Sequence, residues 1–265
     1  MTCAGVLVIF ASFAQQTDTT IYAHRGFRGM SPENTIPAMK HALELGADVL
    51  EMDIAFSADK QAVVSHDPWI DSLISFDPQG KAIAAQKSLA LYEMEYSLIQ
   101  QYDVGSRGHK DFPKQARYKA YIPRLVDLID SVELYVEKNG LKKPWYSIET
   151  KASKARDNKV QPEPEEFVKL LMDIVIAKGI RERVIIQSFD ERTLEIIHRD
   201  YPDVVTMINI SKGSLEENLA RMSFQPDYYA PIPQLIDAEL VTKCKTIGLK
   251  LLCGNVNDIK EIDRM

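Results

Sequence analysis

Within residues 21–66 the chain carries two imidazoles, His24 and His66, an arginine beside the first, Arg25, and two carboxylates one residue apart, Glu51 and Asp53. All stand at the ends of apolar runs. Side-chain direction in a strand repeats every two residues, so Glu51 and Asp53 share a face. Carboxylates that point the same way repel unless a positive charge lies between them. A divalent cation with oxygen ligands is the natural candidate, and imidazoles on either side would act as acid and base for chemistry at that metal. Further along, Glu149 and Lys151 share a face in the same way, and Gln187 stands near the end of another apolar run. Glu51, Asp53 and Glu149 are enough for a Mg²⁺ or Ca²⁺ that keeps positions open for water or substrate. Arg25 supplies a planar fork and Lys151 a point charge, both suited to phosphate. Together these groups describe a site for an anionic phosphodiester.

The elements that must position them alternate. Apolar runs at 21–24, 49–55, 145–149, 184–188, 204–208, 228–230 and 249–253 read as strands. Between them lie helical patterns, such as Leu125, Leu128, Ile129, Val132 and Val136 closing near Gly140, or Glu191–Arg199 with Asp190 as its cap. Ser31-Pro32-Glu33 reads as the entry of the first helix. The short link between Val49–Ala55 and Val63–His66 forces an antiparallel hairpin, which returns His66 toward Glu51 and Asp53. Repeated strand–helix alternation means a parallel sheet covered by helices. At this length a (β/α)₈ barrel is the expected architecture, with active groups at the C-terminal strand ends. A doubly wound sheet ranks second, since no GxGxxG opens a helix. Residues 68–121 are too long for a structureless loop and read as an insertion after the hairpin, either a lid or a solvated cover. Only seven barrel strands are found; the eighth should follow a helix beginning near Asn257, where the sequence stops at Met265.

With 45% apolar and 26% charged residues in 265, the composition is that of an ordinary globular chain. A net charge of −6 without a basic block argues against nucleic acid as a partner. Cys3, Cys244 and Cys253 show neither zinc spacing nor a disulfide framework. The apolar leader at 1–14 is too short to span a bilayer, so no stable membrane insertion is expected; it reads as a secretory signal peptide that would place residues 15–265 in a periplasm or outside the cell. Oligomeric state has no signature.

Several motifs in order, HRG at 24–26, PENT at 32–35, ExD at 51–53, HD at 66–67, ExK at 149–151 and QSF at 187–189, resemble those of the glycerophosphodiester phosphodiesterase family, more distantly related to phosphatidylinositol-specific phospholipase C. The Ile122-Pro123-x-Leu125 run is similar to the start of the family's helix after its inserted segment. The resemblance implies a TIM barrel, a Ca²⁺ or Mg²⁺ cofactor, and hydrolysis of deacylated phospholipid headgroups to glycerol 3-phosphate and an alcohol. Carried over by motif, it implies metal ligands Glu51, Asp53 and Glu149 and an acid/base pair His24 and His66. It also implies substrate binding by Arg25 and Lys151, with Glu33 and Asn34 bracing the site; Gln187 is a further candidate for substrate contact. Three departures stand out. Lys60 occupies the glycine position of the family's turn after ExD, Gly254 replaces a tryptophan that would wall the glycerol pocket, and the closing Gly-Asp-Gly strand is absent. Two alternatives compete: a phospholipase cleaving a lipid phosphodiester, and a degenerate non-catalytic binding protein.

Overall fold

The computed structural model describes residues 20–84, 89–254, 256, 260 and 264. The leader at 1–14, Cys3 and most of the helix expected from Asn257 lie outside the described residues.

Among the described residues seven strands are parallel: β1 (Tyr22–Ala23), β2 (Val49–Phe56), β4 (Trp145–Thr150), β5 (Val184–Ser188), β6 (Val205–Ile210), β7 (Tyr228–Pro231) and β8 (Lys250–Leu251). They pair in the order β1-β2-β4-β5-β6-β7-β8. The expected hairpin is present: β3 (Ala62–Val64) runs antiparallel to β2. The helices are α1 (Ile36–Glu44), α2 (Tyr96–Ile99), α3 (Leu125–Asn139), α4 (Pro164–Ala177), α5 (Glu191–Asp200), α6 (Leu215–Leu219) and α7 (Ala238–Thr246). No described helix is long and apolar enough to cross a membrane.

Alternation sorts the strand residues. Leu50, Met52 and Ile54 of β2, Tyr146 and Ile148 of β4, Ile186 of β5, and Ile208 and Ile210 of β6 join Leu128, Val132, Phe167, Leu171, Leu194 and Ile197 of the helices in one buried core. Each such large side chain contributes about 1.5–3 kcal/mol. The intervening residues Glu51, Gln187 and Asn209 instead line a cavity that side chains from β1, β2, β4, β5, β6 and β7 surround, so the sheet is curled. Its inner face is polar and its outer face apolar.

Two local features differ from the sequence reading. The first helix does not begin at Ser31. Its N-cap is Thr35, whose hydroxyl accepts from the Ala38 N–H, and Pro37 lies in the first turn. The reason is Asn34, held at φ +57 with its amide turned to Asp53, which no helix can pass through. The turn at 57–60 forms without glycine: Lys60 takes φ +58, and its N–H donates to the Ser57 carbonyl at 3.1 Å.

Segment 68–121 is far from structureless. Ile70, Leu91, Ile99, Tyr102, Val104 and Ile122 build a second buried cluster against Ala55 and Val63. From it, the Ala116 N–H donates to the Met30 carbonyl at 2.9 Å and Gln115 Nε2 to the Arg28 carbonyl at 2.7 Å. These bonds fasten the loop that follows β1. Within that loop Gly26 sits at φ +74, where a Cβ would come within 2.8 Å of the Ala38 Cβ. Backbone conformation and close approach both require glycine there.

Candidate active site

Parallel register places Asp53 beside Glu149, and Glu149 beside Gln187. Three polar side chains thus form a row across β2, β4 and β5, with Glu51 one inward position earlier on β2. Glu51, Asp53 and Glu149 are buried, and each offers an oxygen within 4.8 Å of the others. Glu51 is oriented by two donors, the Arg25 N–H and Gln187 Nε2, each at 2.8 Å. Asp53 accepts from Asn34 Nδ2 at 2.9 Å and lies 3.2 Å from Arg25 Nε and 3.7 Å from Lys151 Nζ. Lys151 also donates to Glu149 at 2.7 Å.

His24 and Arg25 arrive on the strained turn after β1, where Arg25 and Phe27 take φ +50 and +58. His24 lines the cavity of about 780 Å³ together with Glu51, Glu149 and Gln187. Its ring takes no hydrogen bond from another described residue. His66 follows β3 and is 35% exposed, with Nδ1 3.3 Å from the Asp67 carboxylate. It lines a smaller cavity with Glu33, Asn34 and Asp67.

The electrostatics divide the carboxylates. Burial lifts Glu51 well above the usual range, and Asp53 and Glu149 beside it add to that. Burial and Asp53 likewise raise Glu149. Burial acts on Asp53 in the same sense, yet Arg25 and Lys151 outweigh it and hold Asp53 below its usual range. Burial and the Arg25 guanidinium push His24 down to about 3, so its ring is neutral near pH 7. Such a donor set, acidic, all-oxygen and crowded, fits a hard divalent cation that relieves the repulsion.

A pH dependence follows. A carboxylate with a raised folded pKa favours the folded state at low pH and opposes it once it must ionise. Metal-free protein therefore loses melting temperature as pH climbs through the raised values of Glu51 and Glu149. Asp53 and His24 work oppositely: the charge of Asp53 is lost only below the ordinary carboxylate range, and His24, lowered from 6.5 to about 3, costs stability only below its ordinary value, so the fall is read above pH 6.5. A divalent cation binds the ionised carboxylates, so its stabilisation grows with pH. Thermal melts in EDTA and in Ca²⁺ or Mg²⁺ from about pH 5 to 8 measure this; a cation effect of constant size would contradict it.

The model of the glycerophosphoryl diester phosphodiesterase family matches residues 24–265. The chain belongs to this family. The enzyme is 28% identical over 252 residues to a glycerophosphodiester phosphodiesterase of Caldanaerobacter subterraneus subsp. tengcongensis, covering 93% of this chain and 89% of the relative. A Bacillus subtilis glycerophosphodiester phosphodiesterase is 27% identical, covering 92% and 78%. Among solved structures, a glycerophosphoryl diester phosphodiesterase from Silicibacter pomeroyi superposes with a TM-score of 0.82 at 27% identity, over 93% of this chain and 85% of that one. An Oleispira antarctica phosphodiesterase, solved with the product sn-glycerol-3-phosphate, gives 0.72 at 20% identity over 93% and 88%. The curled parallel sheet with its helices is thus of the TIM-barrel class that the sequence predicts, and the enzyme cleaves phosphodiesters.

Of the residues singled out from sequence, Glu51, Asp53, Glu149, Lys151, Arg25 and Gln187 meet in one network of hydrogen bonds and ion pairs. Glu33 does not line the large cavity: its carboxylate accepts from Arg25 Nη1 at 2.7 Å and faces Arg28 at 3.3 Å. The Asp67 of the HD motif stands behind His66, and the enzyme has one neighbour of the site that the sequence reading does not single out, Arg28 beside Glu33. The repeated Arg-Gly at 25–26 and 28–29 was the available signal for Arg28.

Proposed function

We propose that this enzyme hydrolyses sn-glycerol 3-phosphodiesters to sn-glycerol 3-phosphate and an alcohol, with Ca²⁺ or Mg²⁺ held by Glu51, Asp53 and Glu149. The observation that carries this reading is the meeting of three buried carboxylates from adjacent strands, oxygens within 4.8 Å, beside two cations and two imidazoles. When bound, the cation neutralises charge on the phosphate oxygens. Arg25 and Lys151 hold the phosphate against the row and keep Asp53 ionised. His24, neutral and without a hydrogen-bond partner among the described residues, takes the proton from the attacking oxygen, either water or the neighbouring glycerol hydroxyl. His66, braced at Nδ1 by Asp67, keeps Nε2 for protonating the leaving alcohol. Segment 68–121 covers this end of the sheet and holds the loop that carries His24.

Release of sn-glycerol 3-phosphate from glycerophosphocholine, with and without EDTA, tests the reading. Release is expected, lost in EDTA and restored by Ca²⁺ or Mg²⁺. EDTA-insensitive release would remove the metal from the scheme; no release with any headgroup or metal would remove the hydrolysis. A second reading, cleavage of a lipid phosphodiester, is favoured by one observation: Met30, Phe189 and Ile232 line the cavity yet stay 48, 47 and 37% exposed. Choline release from lysophosphatidylcholine, which would leave lysophosphatidic acid in place of sn-glycerol 3-phosphate, separates the two.

A further inference from the structure

Arg28 lines the same cavity as His24, Glu51 and Glu149, yet nothing in the proposed reaction uses it. Its Nε lies 3.3 Å from Glu33 Oε2, and that carboxylate is already shared, because Oε1 accepts from Arg25 at 2.7 Å. One carboxylate faces two guanidiniums. Of the further acids that act on Arg28, Asp53 is already paired with Arg25 and Lys151, and Asp111 is 65% exposed. The Arg28 Nε is buried without a hydrogen-bond acceptor, and its Nη nitrogens take none among the described residues. Electrostatics separate the two arginines. Both are desolvated, but Asp53 and Glu33 raise Arg25, whereas burial leaves Arg28 below the ordinary guanidinium value. Arg28 is nevertheless held in place. Its guanidinium stacks 4.6 Å from the Phe112 ring centroid, and its carbonyl is tied to Gln115 at 2.7 Å. A fixed guanidinium that lacks full compensation and faces a substrate cavity is ready for an anion.

Position indicates which anion. Arg25 and Lys151 are the cations paired with Asp53, at 3.2 and 3.7 Å. Arg28 forms no ion pair with Glu51, Asp53 or Glu149; its ion pair is with Glu33, and Asp53 and Asp111 act on it only at longer range. A phosphate seated at the acidic row leaves Arg28 for a group further along the substrate. We propose that Arg28 recognises a second anionic group, a carboxylate or phosphate on the alcohol moiety of the diester, and so selects acidic headgroups. This rests on the hydrolase reading above.

Glycerophosphoserine and glycerophosphoethanolamine differ by one carboxylate, which makes them a matched pair. The wild-type enzyme is expected to favour the serine diester by about tenfold in kcat/KM, carried by KM, the size of one charge-assisted contact. Arg28→Gln brings the ratio near one, and Arg28→Lys keeps part of it. Thermal melts confirm that both variants fold, and the Lys variant retains the charge should the Gln variant fail to. A wild-type ratio near one, or an equal loss on both diesters in Arg28→Gln, overturns the assignment alone. Failure of the wild type to cleave either diester overturns the hydrolase reading and this inference with it.

Discussion

Replacing His24 with alanine lowers turnover by about 10²–10⁴-fold and leaves the melting temperature nearly unchanged. The size follows from the role: a positioned imidazole that accepts a proton in the transition state has no substitute among its neighbours. The small effect on stability follows from the geometry, since the ring takes no hydrogen bond from another described residue and opens onto the cavity. Burial and Arg25 push its pKa down to about 3, so the free enzyme holds His24 in the form a base needs. The leaving group separates the two imidazoles. A p-nitrophenyl diester departs without protonation, so it rescues His66→Ala and leaves the His24→Ala defect in place. A His24→Ala enzyme keeping more than a tenth of wild-type turnover with glycerophosphocholine would refute the base.

Glu51→Gln is expected to reduce kcat/KM by at least about 10²–10³-fold while making metal-free protein as stable as the wild type or more so. Glutamine keeps the acceptor for the Arg25 N–H, and the Gln187 amide can turn to present its oxygen. What disappears is a charge whose ionisation burial, Asp53 and Glu149 oppose. Because the raised pKa penalises the folded wild type increasingly at higher pH, the variant's advantage in EDTA widens with pH. The Ca²⁺- or Mg²⁺-induced gain in melting temperature shrinks, because one of three ligands is gone. Parallel assays and melts read both effects. A variant that is less stable in EDTA and still gains the wild-type shift from the cation would mean that Glu51 is structural and no ligand.

Much of this site was legible because strand periodicity is simple. Glu51 and Asp53 had to share a face, the hairpin had to be antiparallel, and the inward position of Glu149 followed from the same alternation. What periodicity lacks is register between strands. That Asp53 lies level with Glu149, and Glu149 with Gln187, depends on sheet pairing that sequence spacing does not encode. Backbone strain was equally hidden. Ser31-Pro32 carries the local signature of a helix start, but the left-handed Asn34, locked to Asp53, moves the cap to Thr35. Arg28 escaped notice because its meaning depends on Glu33 and Phe112, partners that only the fold supplies.

The bond from Gln115 to the Arg28 carbonyl joins groups 87 residues apart in the chain. Ordering so distant a pair costs loop-closure entropy, but the pairing that sets Asp53 level with Glu149 spans a still longer stretch of chain, and that cost grows only slowly with length. The turn bearing His24 and the sheet bearing the acidic row therefore close loops of comparable cost and are expected to order together. On dilution from denaturant, circular dichroism and catalysis are expected to recover in one phase. The architecture and the chemistry then arrive as a single event.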